Sequence, residues 1–334
     1  MSTTQGVFSE TLLQNIRVAA DKVMFDSVIK NDYLPRVEAM KALFTNQVST
    51  LGKYFINKKK DWAVDVWWTN ACELAVQSCT TCEYGGEELS TNVDEHELDY
   101  CYEVPFTVDE STFITNEADF EMTIAKGLLR SKKLLAENFT RYVIALLNVN
   151  AGINALTVGI GTPVGNDTYI PSSAWTANAL SYFARVAEYN QINNGFLLSG
   201  ANLHQAFLNA QAGINPDSNG NAWNGLPIYF DEFNIDTVNT PTLYTYMIDK
   251  SSYAIANKAY STPNPVPVDG DTIRYSVMDE VLPLEYDVFM KRTCSNDFSQ
   301  LDFKIKLKAG FFVNPSGCGT STGILDFLCG DVPA

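Results

Sequence analysis

Four stretches of the chain carry apolar residues at the spacing of an amphipathic helix. The first covers residues 1 to about 30 and ends at the break formed by Tyr33, Leu34 and Pro35. The second, residues 117–148, has acidic residues in its first turns and basic residues later, as the helix dipole favours. At 1.5 Å per residue this helix would be about 48 Å long. Two shorter helices are predicted for residues 172–191 and 201–212.

Alternating apolar and polar residues predict β-strands in two parts of the chain. In the first part, strands at residues 62–76 and 98–106 lie on either side of a turn around Tyr84-Gly85-Gly86-Glu87. We interpret them as the arms of one extended β-hairpin with its tip near Gly86. The second part contributes shorter strands at residues 196–198, 226–229, 242–248, 271–278, 285–291 and 301–308. Helices and strands in this order predict an α+β fold.

Charge is distributed unevenly along the chain. Its 334 residues include 39 acidic and 23 basic side chains, for a net charge of −16. Residues 61–125 contain 16 of the acidic residues and no lysine or arginine, so the remainder balances at 23 acidic and 23 basic residues. Affinity for nucleic acid or for anionic lipid requires a basic face, and the sequence shows none. This pattern disfavours sequence-specific nucleic-acid binding and membrane binding.

The sequence also carries no sign of membrane targeting. No run reaches the length of about 18 apolar residues that spans a bilayer. The first ten residues, MSTTQGVFSE, lack the basic and apolar regions of a signal peptide. We therefore expect synthesis in the cytoplasm.

No motif of a catalytic or phosphate-binding site is complete. The segment 159–165 has the glycine spacing GxGxxxG, one residue longer than the dinucleotide fingerprint, and it contains a proline. We interpret it as a flexible surface loop. His96 lies in an acidic segment and is expected to be solvated, whereas His204 lies in an amphipathic helix and is expected to be structural. Because GxSxG and HExxH motifs are also missing, the sequence predicts no enzyme and no cofactor.

Four of the seven cysteines lie in or beside the predicted hairpin: Cys72, Cys79, Cys82 and Cys101. One interpretation is a zinc site with four thiolates, although the spacing lacks a second CxxC pair. A second is a disulfide between Cys72 and Cys101, which a tip near Gly86 would place about opposite each other. The third is that all four are reduced thiols. The same alternatives remain open for Cys318 and Cys329.

Several segments resemble the major capsid proteins of tailed bacteriophages, whose fold is shared with encapsulins. The segment Asn194-Gly195-Phe196-Leu197-Leu198-Ser199, with the helix at 201–212, is similar to a strand and helix of the axial domain in that family. The segment Trp223-Asn224-Gly225-Leu226-Pro227-Ile228-Tyr229 is similar to the strand that follows them. Tyr246-Met247-Ile248-Asp249-Lys250 and Gly310-Phe311-Phe312-Val313-Asn314-Pro315 also resemble the family. The order of elements from about Trp62 onward carries the resemblance more than any single residue.

The resemblance implies a tailed-phage capsid fold with five parts. They are an N-terminal arm and helix (1–60), an extended β-hairpin loop (61–110), the spine helix of the peripheral domain (111–150), the axial domain (151–265), and return strands of both domains with a C-terminal tail (266–334). It further implies self-assembly through hexamers and pentamers into an icosahedral shell, which encloses double-stranded DNA without sequence-specific binding. Portal, scaffold and decoration proteins are the implied partners. The implied location is the virion capsid, assembled in the host cytoplasm.

The acidic loop is expected to contact neighbouring copies, because it has no basic residue with which to pair. The candidate acidic residues are Glu83, Glu87, Glu88, Asp94 and Glu95. The candidate basic residues are Lys126, Arg130, Lys132 and Lys133, with Lys58, Lys59 and Lys60 as an alternative. Complementary charge of this kind fixes the register of an interface more than it adds affinity. An equally open interpretation is that the acidic residues of the tip only keep the subunit soluble.

The resemblance also bears on how the shell would be strengthened. Some relatives cross-link their shells through a lysine of this loop, but the loop has no lysine here, so strengthening would be noncovalent, through cysteines or through accessory proteins.

Two other functions also remain open. An encapsulin-like compartment would enclose a protein cargo, and a soluble metal-binding enzyme would need a stoichiometric metal on the four cysteines of the hairpin.

Overall fold

The computed structural model describes residues 10–26, 29–69, 91–113, 117–211, 222–223, 225–239, 242–269, 271–295, 298–314 and 322–332. The chain divides into two compact units, each built from three separate segments. The first unit consists of Met1–Arg36, Leu98–Phe139 and Asn257–Gly310. The second consists of Val37–Glu97, Thr140–Ala256 and Phe311–Ala334.

Helices and strands alternate through the described residues, which confirms the predicted α+β class. The helices are α1 (Glu10–Phe25), α2 (Lys30–Tyr33), α3 (Glu38–Asn46), α4 (Glu117–Val149), α5 (Ala177–Tyr189), α6 (Ala201–Gln211) and α7 (Glu232–Val238). The strands are β1 (Thr50–Ile56), β2 (Trp62–Thr69), β3 (Thr91–Glu97), β4 (Tyr100–Asp109), β5 (Thr162–Val164), β6 (Asp167–Ile170), β7 (Gly195–Ser199), β8 (Ala222–Trp223), β9 (Leu226–Phe230), β10 (Tyr244–Asp249), β11 (Tyr253–Asn257), β12 (Val266–Asp269), β13 (Thr272–Met278), β14 (Glu285–Ser295), β15 (Phe298–Val313) and β16 (Ile324–Cys329). None of these helices is both long enough and apolar enough to span a bilayer.

The predicted helices form where apolar residues share one face. The helix predicted for residues 117–148 is confirmed as α4, which has 33 residues. In α1, Leu13, Ile16 and Val23 are buried and fall on one side of the helix. α5 begins later than predicted, because the hydroxyl of Thr176 accepts a hydrogen bond from the amide of Asn178 and caps the first turn there.

Two short helices of the second unit, α3 and α7, were not predicted, and a single carboxylate stabilises the first turn of both. Oδ2 of Asp231 accepts a hydrogen bond of 2.8 Å from the amide of Ala39 in α3. Oδ1 accepts one of 3.0 Å from the amide of Asn234 in α7. Both amides lie at helix N-termini, where no carbonyl of the same helix can accept their hydrogen bonds. Burial nevertheless raises the pKa of Asp231 above its ordinary value, against the effect of these hydrogen bonds.

The first unit contains an antiparallel sheet in the order β4-β15-β14-β13-β12. On one face of β15, Leu301, Phe303, Ile305 and Leu307 are buried, and lysines alternate with the last three. The ring of Phe106 in β4 stacks on that of Phe303, with centroids 4.8 Å apart. At Gly127 of α4, an added Cβ atom would lie 2.6 Å from the Phe106 ring. Glycine at this position therefore allows α4 to approach the sheet closely.

The second unit contains a seven-stranded sheet in the order β5-β6-β16-β10-β7-β9-β8. β6 is parallel to β16, and β7 is parallel to β9. The core on one face of this sheet includes Phe183 of α5, Phe207 of α6, and Leu197, Met247 and Phe327 of the strands. All five residues of β7 are buried, as is typical of an interior strand covered on both faces.

The extended hairpin differs from its predicted form. β2 pairs with β3 in a register that joins Ala63 to Glu97 and Thr69 to Thr91. Residues 70–90, which include the tip predicted near Gly86, lie outside the described part of the chain. The strand predicted for residues 98–106 is present as β4, but β4 pairs with β15 and not with β2. An alternating pattern identifies a strand but not the strand with which it pairs. Here β4 pairs with β15, and the stacked rings of Phe106 and Phe303 join the two strands.

The remaining strand predictions are confirmed, but eight strands were not predicted. The strands predicted at residues 196–198, 226–229, 242–248, 271–278, 285–291 and 301–308 correspond to β7, β9, β10, β13, β14 and β15. The strands that were not predicted are β1, β3, β5, β6, β8, β11, β12 and β16. Six of them have two to six residues, too few for a periodic pattern to be recognised, and β3 consists almost entirely of polar residues.

Candidate functional site

The β2–β3 hairpin has one buried face and one exposed face. Val64, Val66 and Trp68 of β2 are buried. The alternate positions face the other way, and they include Trp67 and its cross-strand partner Val93. Trp67 is 45% exposed and Val93 is 44% exposed. A tryptophan and a valine thus form an exposed apolar pair.

Two acidic residues lie opposite each other on this exposed face. Asp65 is the cross-strand partner of Glu95, two positions along the strands from Trp67 and Val93. Side chains in such a pair have Cβ atoms about 5 Å apart, and like charges placed there destabilise the hairpin. No salt bridge of the described residues involves Asp65 or Glu95. This face therefore combines exposed apolar surface with an exposed Glu95 and a half-buried Asp65.

The other predicted acidic contacts are only partly described. Asp94 is half-buried and pairs with Val66, so it lies on the opposite face from Glu95. Glu83, Glu87 and Glu88 lie outside the described residues. Among the basic residues considered as an alternative, Lys59 has its Nζ 3.5 Å from a carboxylate oxygen of Glu97 in its own hairpin, with both side chains largely exposed.

His96 is not a solvated side chain as predicted. Its ring stacks on Phe312, with centroids 4.4 Å apart, and meets Trp68 edge-on at 6.3 Å. The reason is the alternation of β3, which places His96 on the buried face between two exposed glutamates. His204 stacks on Phe230, and its Nδ1 lies 2.5 Å from Oε1 of Glu232, which agrees with the structural role predicted for it.

The four predicted basic residues of α4 lie on different sides of the helix. Lys126 and Arg130 are exposed, and Leu134, one turn further on, is 50% exposed. Lys132 is buried and forms an ion pair with Glu280 within the first unit. Lys133 is half-buried, and its Nζ donates a hydrogen bond of 2.9 Å to the carbonyl oxygen of Asp32. The sequence spacing shows which of these residues share a face of the helix. Residues 126, 130 and 134 repeat every four positions, whereas residue 132 lies on the opposite side.

A second basic surface was missed as a candidate. Lys304 and Lys306 of β15 lie on the face opposite the buried residues of that strand, and Lys291 of β14 lies nearby, opposite Asp302 in the register. Lys304 is half exposed, with its Nζ 3.3 Å from a carboxylate oxygen of Glu103. The alternating lysines at positions 304, 306 and 308 were the signal that could have identified this surface.

Two of the described cysteines are free thiols. Cys101 is an exposed free thiol on β4, opposite Lys308 of β15, and its predicted partner Cys72 is not among the described residues. Cys329 is a half-buried free thiol. Cys72, Cys79, Cys82 and Cys318 lie outside the described residues. Within the part of the chain that is described, no three His, Cys, Asp or Glu side chains are grouped as a metal site would require.

The glycine-rich segment is ordered by packing. A Cβ atom at Gly159 or Gly161 would lie 2.6 Å from an atom of Tyr182, so both glycines allow the chain to cross that ring. Gly165, with φ of 64°, lies in the turn between β5 and β6. The segment leads into a β-hairpin at Thr162, and residues 159–161 lie outside any helix or strand, as expected of a loop.

Comparisons with known proteins were made for the whole chain. No family model matches it, and no curated protein matches it. Among solved structures, it is similar to a chain of Mycobacterium phage Bobi (12% identity, TM-score 0.45, covering 87% of this chain and 90% of that one). It is also similar to chains of the bacteriophage PhiM1 mature capsid (9%, 0.44, 83% and 85%) and of the Ralstonia phage GP4 capsid (10%, 0.44, 81% and 84%). At these identities the similarity assigns no role to any residue.

Proposed function

We propose that this chain is the major capsid protein of a tailed bacteriophage, a structural protein that self-assembles into the icosahedral shell of the virion. The observation that carries the proposal is the exposed face of the β2–β3 hairpin. A neighbouring subunit can complete this surface, by covering the Trp67–Val93 pair and by supplying positive charge to Asp65 and Glu95. The order of elements, which resembles that of the capsid family, supports the same function.

The basic partner surface lies on a neighbouring copy. On α4, Lys126 and Arg130 form an exposed basic stripe that continues into Leu134, so this stripe has both the charge and the apolar surface that the hairpin face requires. Lys304 and Lys306 of β15 provide a second basic surface. Lys132 is excluded from this role, because its side chain is buried and its charge is paired with Glu280.

The remaining parts of the proposal concern the assembled shell. Copies of the chain form hexamers and pentamers, which are strengthened by noncovalent contacts, through cysteines or by accessory proteins, because the loop has no lysine to cross-link. Portal, scaffold and decoration proteins are the proposed partners. The shell encloses double-stranded DNA without reading its sequence, since the chain has a net charge of −16 and no dominant basic face among the described residues.

The test is the assembly of purified chain, alone and with neighbouring gene products, followed by negative-stain electron microscopy and light scattering. The informative variant is Glu95→Lys, which turns the repulsive pair with Asp65 into an attractive one. We expect this variant to stabilise the isolated subunit slightly, by about 0.2–1 kcal/mol, and yet to lower the yield of shells. A merely destabilising substitution would lower both.

Two further variants complete the test. Glu188→Lys makes the same charge change at an exposed position of α5 and should assemble like the wild type. Lys126→Glu with Arg130→Glu should impair assembly, and combining it with Glu95→Lys should restore part of the shell yield. A wild-type chain that remains monomeric under all conditions would contradict the proposed function. Shells that form equally well with Glu95→Lys would contradict the proposed contact alone.

A further inference from the structure

Two aspartates lie side by side at one edge of the seven-stranded sheet. Asp326 of β16 and Asp167 of β6 are register partners on parallel neighbouring strands, so their side chains lie on the same face of the sheet. Asp326 is 1% exposed and Asp167 is half-buried. The Oδ1 atom of Asp326 is buried and receives no hydrogen bond from any described residue. A buried carboxylate oxygen in this state is costly unless the group carries a proton.

The surroundings of the pair supply no positive charge. From β6, the hydroxyl of Tyr169 donates a hydrogen bond of 3.4 Å to Oδ2 of Asp167. From β10, Tyr246 is the register partner of Asp326, and Tyr244 stacks on Tyr246 with ring centroids 6.0 Å apart. The hydroxyl of Tyr246 is directed to two amide side chains, Asn148 and Asn239. No described lysine or arginine contributes to the electrostatics of Asp326.

Two neighbouring carboxylates in such a site cannot both be ionised without a large cost. Burial, and then the charge of Asp167, raise the pKa of Asp326 to about 8. The same two carboxylates, after burial, help to raise the pKa of Tyr244 to about 12. At neutral pH Asp326 therefore retains its proton, which it can donate to the neighbouring carboxylate of Asp167.

The position of the pair in the sheet gives this proton a structural consequence. Among the described strands, the β5–β6 hairpin joins the sheet through β16, since the strand order at this edge is β5-β6-β16. The β6–β16 pairing joins only four residue pairs, and Asp326 with Asp167 is the first of them. We propose that the Asp167–Asp326 carboxyl pair is a proton-dependent contact that holds the β5–β6 hairpin on the edge of the sheet.

The direction of the pH dependence follows from linkage. When the hairpin separates from β16, Asp326 is solvated and ionises with an ordinary aspartate pKa of about 4. Between that value and the folded pKa, the open form releases a proton that the closed form retains. The ratio of open to closed hairpin therefore increases by up to roughly tenfold for each pH unit from about 4 to about 8, and then levels off. The contact is strongest in acid and weakest above pH 8, independently of the function proposed for the chain.

The experiment is hydrogen exchange by mass spectrometry on the full chain from pH 5 to pH 9, following the peptide that covers residues 162–170. Asp326→Asn keeps the shape of a protonated aspartate and cannot ionise. The wild-type exchange rate divided by the Asp326→Asn rate cancels the intrinsic pH dependence of exchange. We expect this ratio to increase at least tenfold between pH 5 and pH 8 and to stay constant above that. Asp331→Asn, at an exposed aspartate two residues beyond β16, should behave like the wild type.

A second variant keeps the test decisive if Asp326→Asn fails to fold. Asp167→Asn removes the neighbouring charge, so it should lower the pKa of Asp326, and the wild-type exchange rate divided by the Asp167→Asn rate should also increase towards pH 8. A ratio that stays constant from pH 5 to pH 8 would overturn the proposal. An equal loss of pH dependence in Asp331→Asn would overturn it as well.

Discussion

Replacing Lys132 by methionine separates an internal role of this lysine from a role at the subunit surface. Nζ of Lys132 forms an ion pair with Glu280 and donates a hydrogen bond of 3.3 Å to the carbonyl oxygen of Met278. The Lys132 side chain is 8% exposed, whereas that of Glu280 is 38% exposed. Methionine has a similar unbranched stem and preserves apolar packing beside Leu128 and Tyr275, so the substitution removes mainly the charge.

The expected loss of stability follows from the burial of the pair. Removing one partner of a fully buried ion pair costs about 3–5 kcal/mol, because the other charge is left unbalanced. Glu280 is more than a third exposed, so water compensates part of that charge, and we expect a loss of about 1–3 kcal/mol in the first unit. Lys126→Met is the matched control, since Lys126 is exposed on the same helix and its loss should change stability by no more than about 0.5 kcal/mol.

The assay must report on the first unit. All five tryptophans, at positions 62, 67, 68, 175 and 223, belong to the second unit, so tryptophan fluorescence would follow the wrong part of the chain. Hydrogen exchange of peptides from residues 117–139, measured across a urea series, follows α4 directly. The midpoint should fall for Lys132→Met and stay unchanged for Lys126→Met, while shell assembly of the folded fraction should be impaired only by Lys126→Met. Equal midpoints for the two variants would refute the internal assignment of Lys132.

Three further predictions test the packing and the thiols. Gly127→Ala should destabilise the first unit by about 1–3 kcal/mol in the same urea series, because its Cβ would overlap the Phe106 ring, and an unchanged midpoint would contradict that contact. Phe183→Ala should destabilise the second unit by about 3–5 kcal/mol by tryptophan fluorescence, whereas Tyr189→Ala, on the exposed side of α5, should cost far less. Cys101 should react with N-ethylmaleimide faster than Cys329 when alkylation is followed by peptide mass spectrometry, and the opposite order would contradict their exposures.

Local patterns were sufficient for the long elements. α4 was predicted to within one residue of its C-terminal end, because its apolar residues repeat at helical spacing over nine turns and its acidic residues mark the N-terminus. β15 was identified from its alternation of apolar residues and lysines for the same reason. Most of the strands that were missed have six residues or fewer, whereas a short strand that was predicted, such as β7, is a continuous apolar run.

The candidate contact site was predictable in composition but not in geometry. The concentration of acidic residues at 61–125 is a property of the sequence, and so is the lack of lysine in that region. Which acidic residues share the exposed face depends on the register of β2 with β3, which places Asp65 opposite Glu95 and turns Asp94 and His96 away. The position of Lys132 on the far side of α4 could have been derived from the helical repeat alone.

Sequence by itself determined the α+β class, the long helix and the location of the negative charge, since each depends on residues close together along the chain. Tertiary structure alone decided that β4 joins β15 and that Asp167 meets Asp326, 159 positions away. An alternating pattern exposes the same backbone groups to any strand edge, so the partner is selected by side chains that pack from distant segments. A carboxyl pair that retains one proton therefore exists only after the parallel β6–β16 pairing has formed.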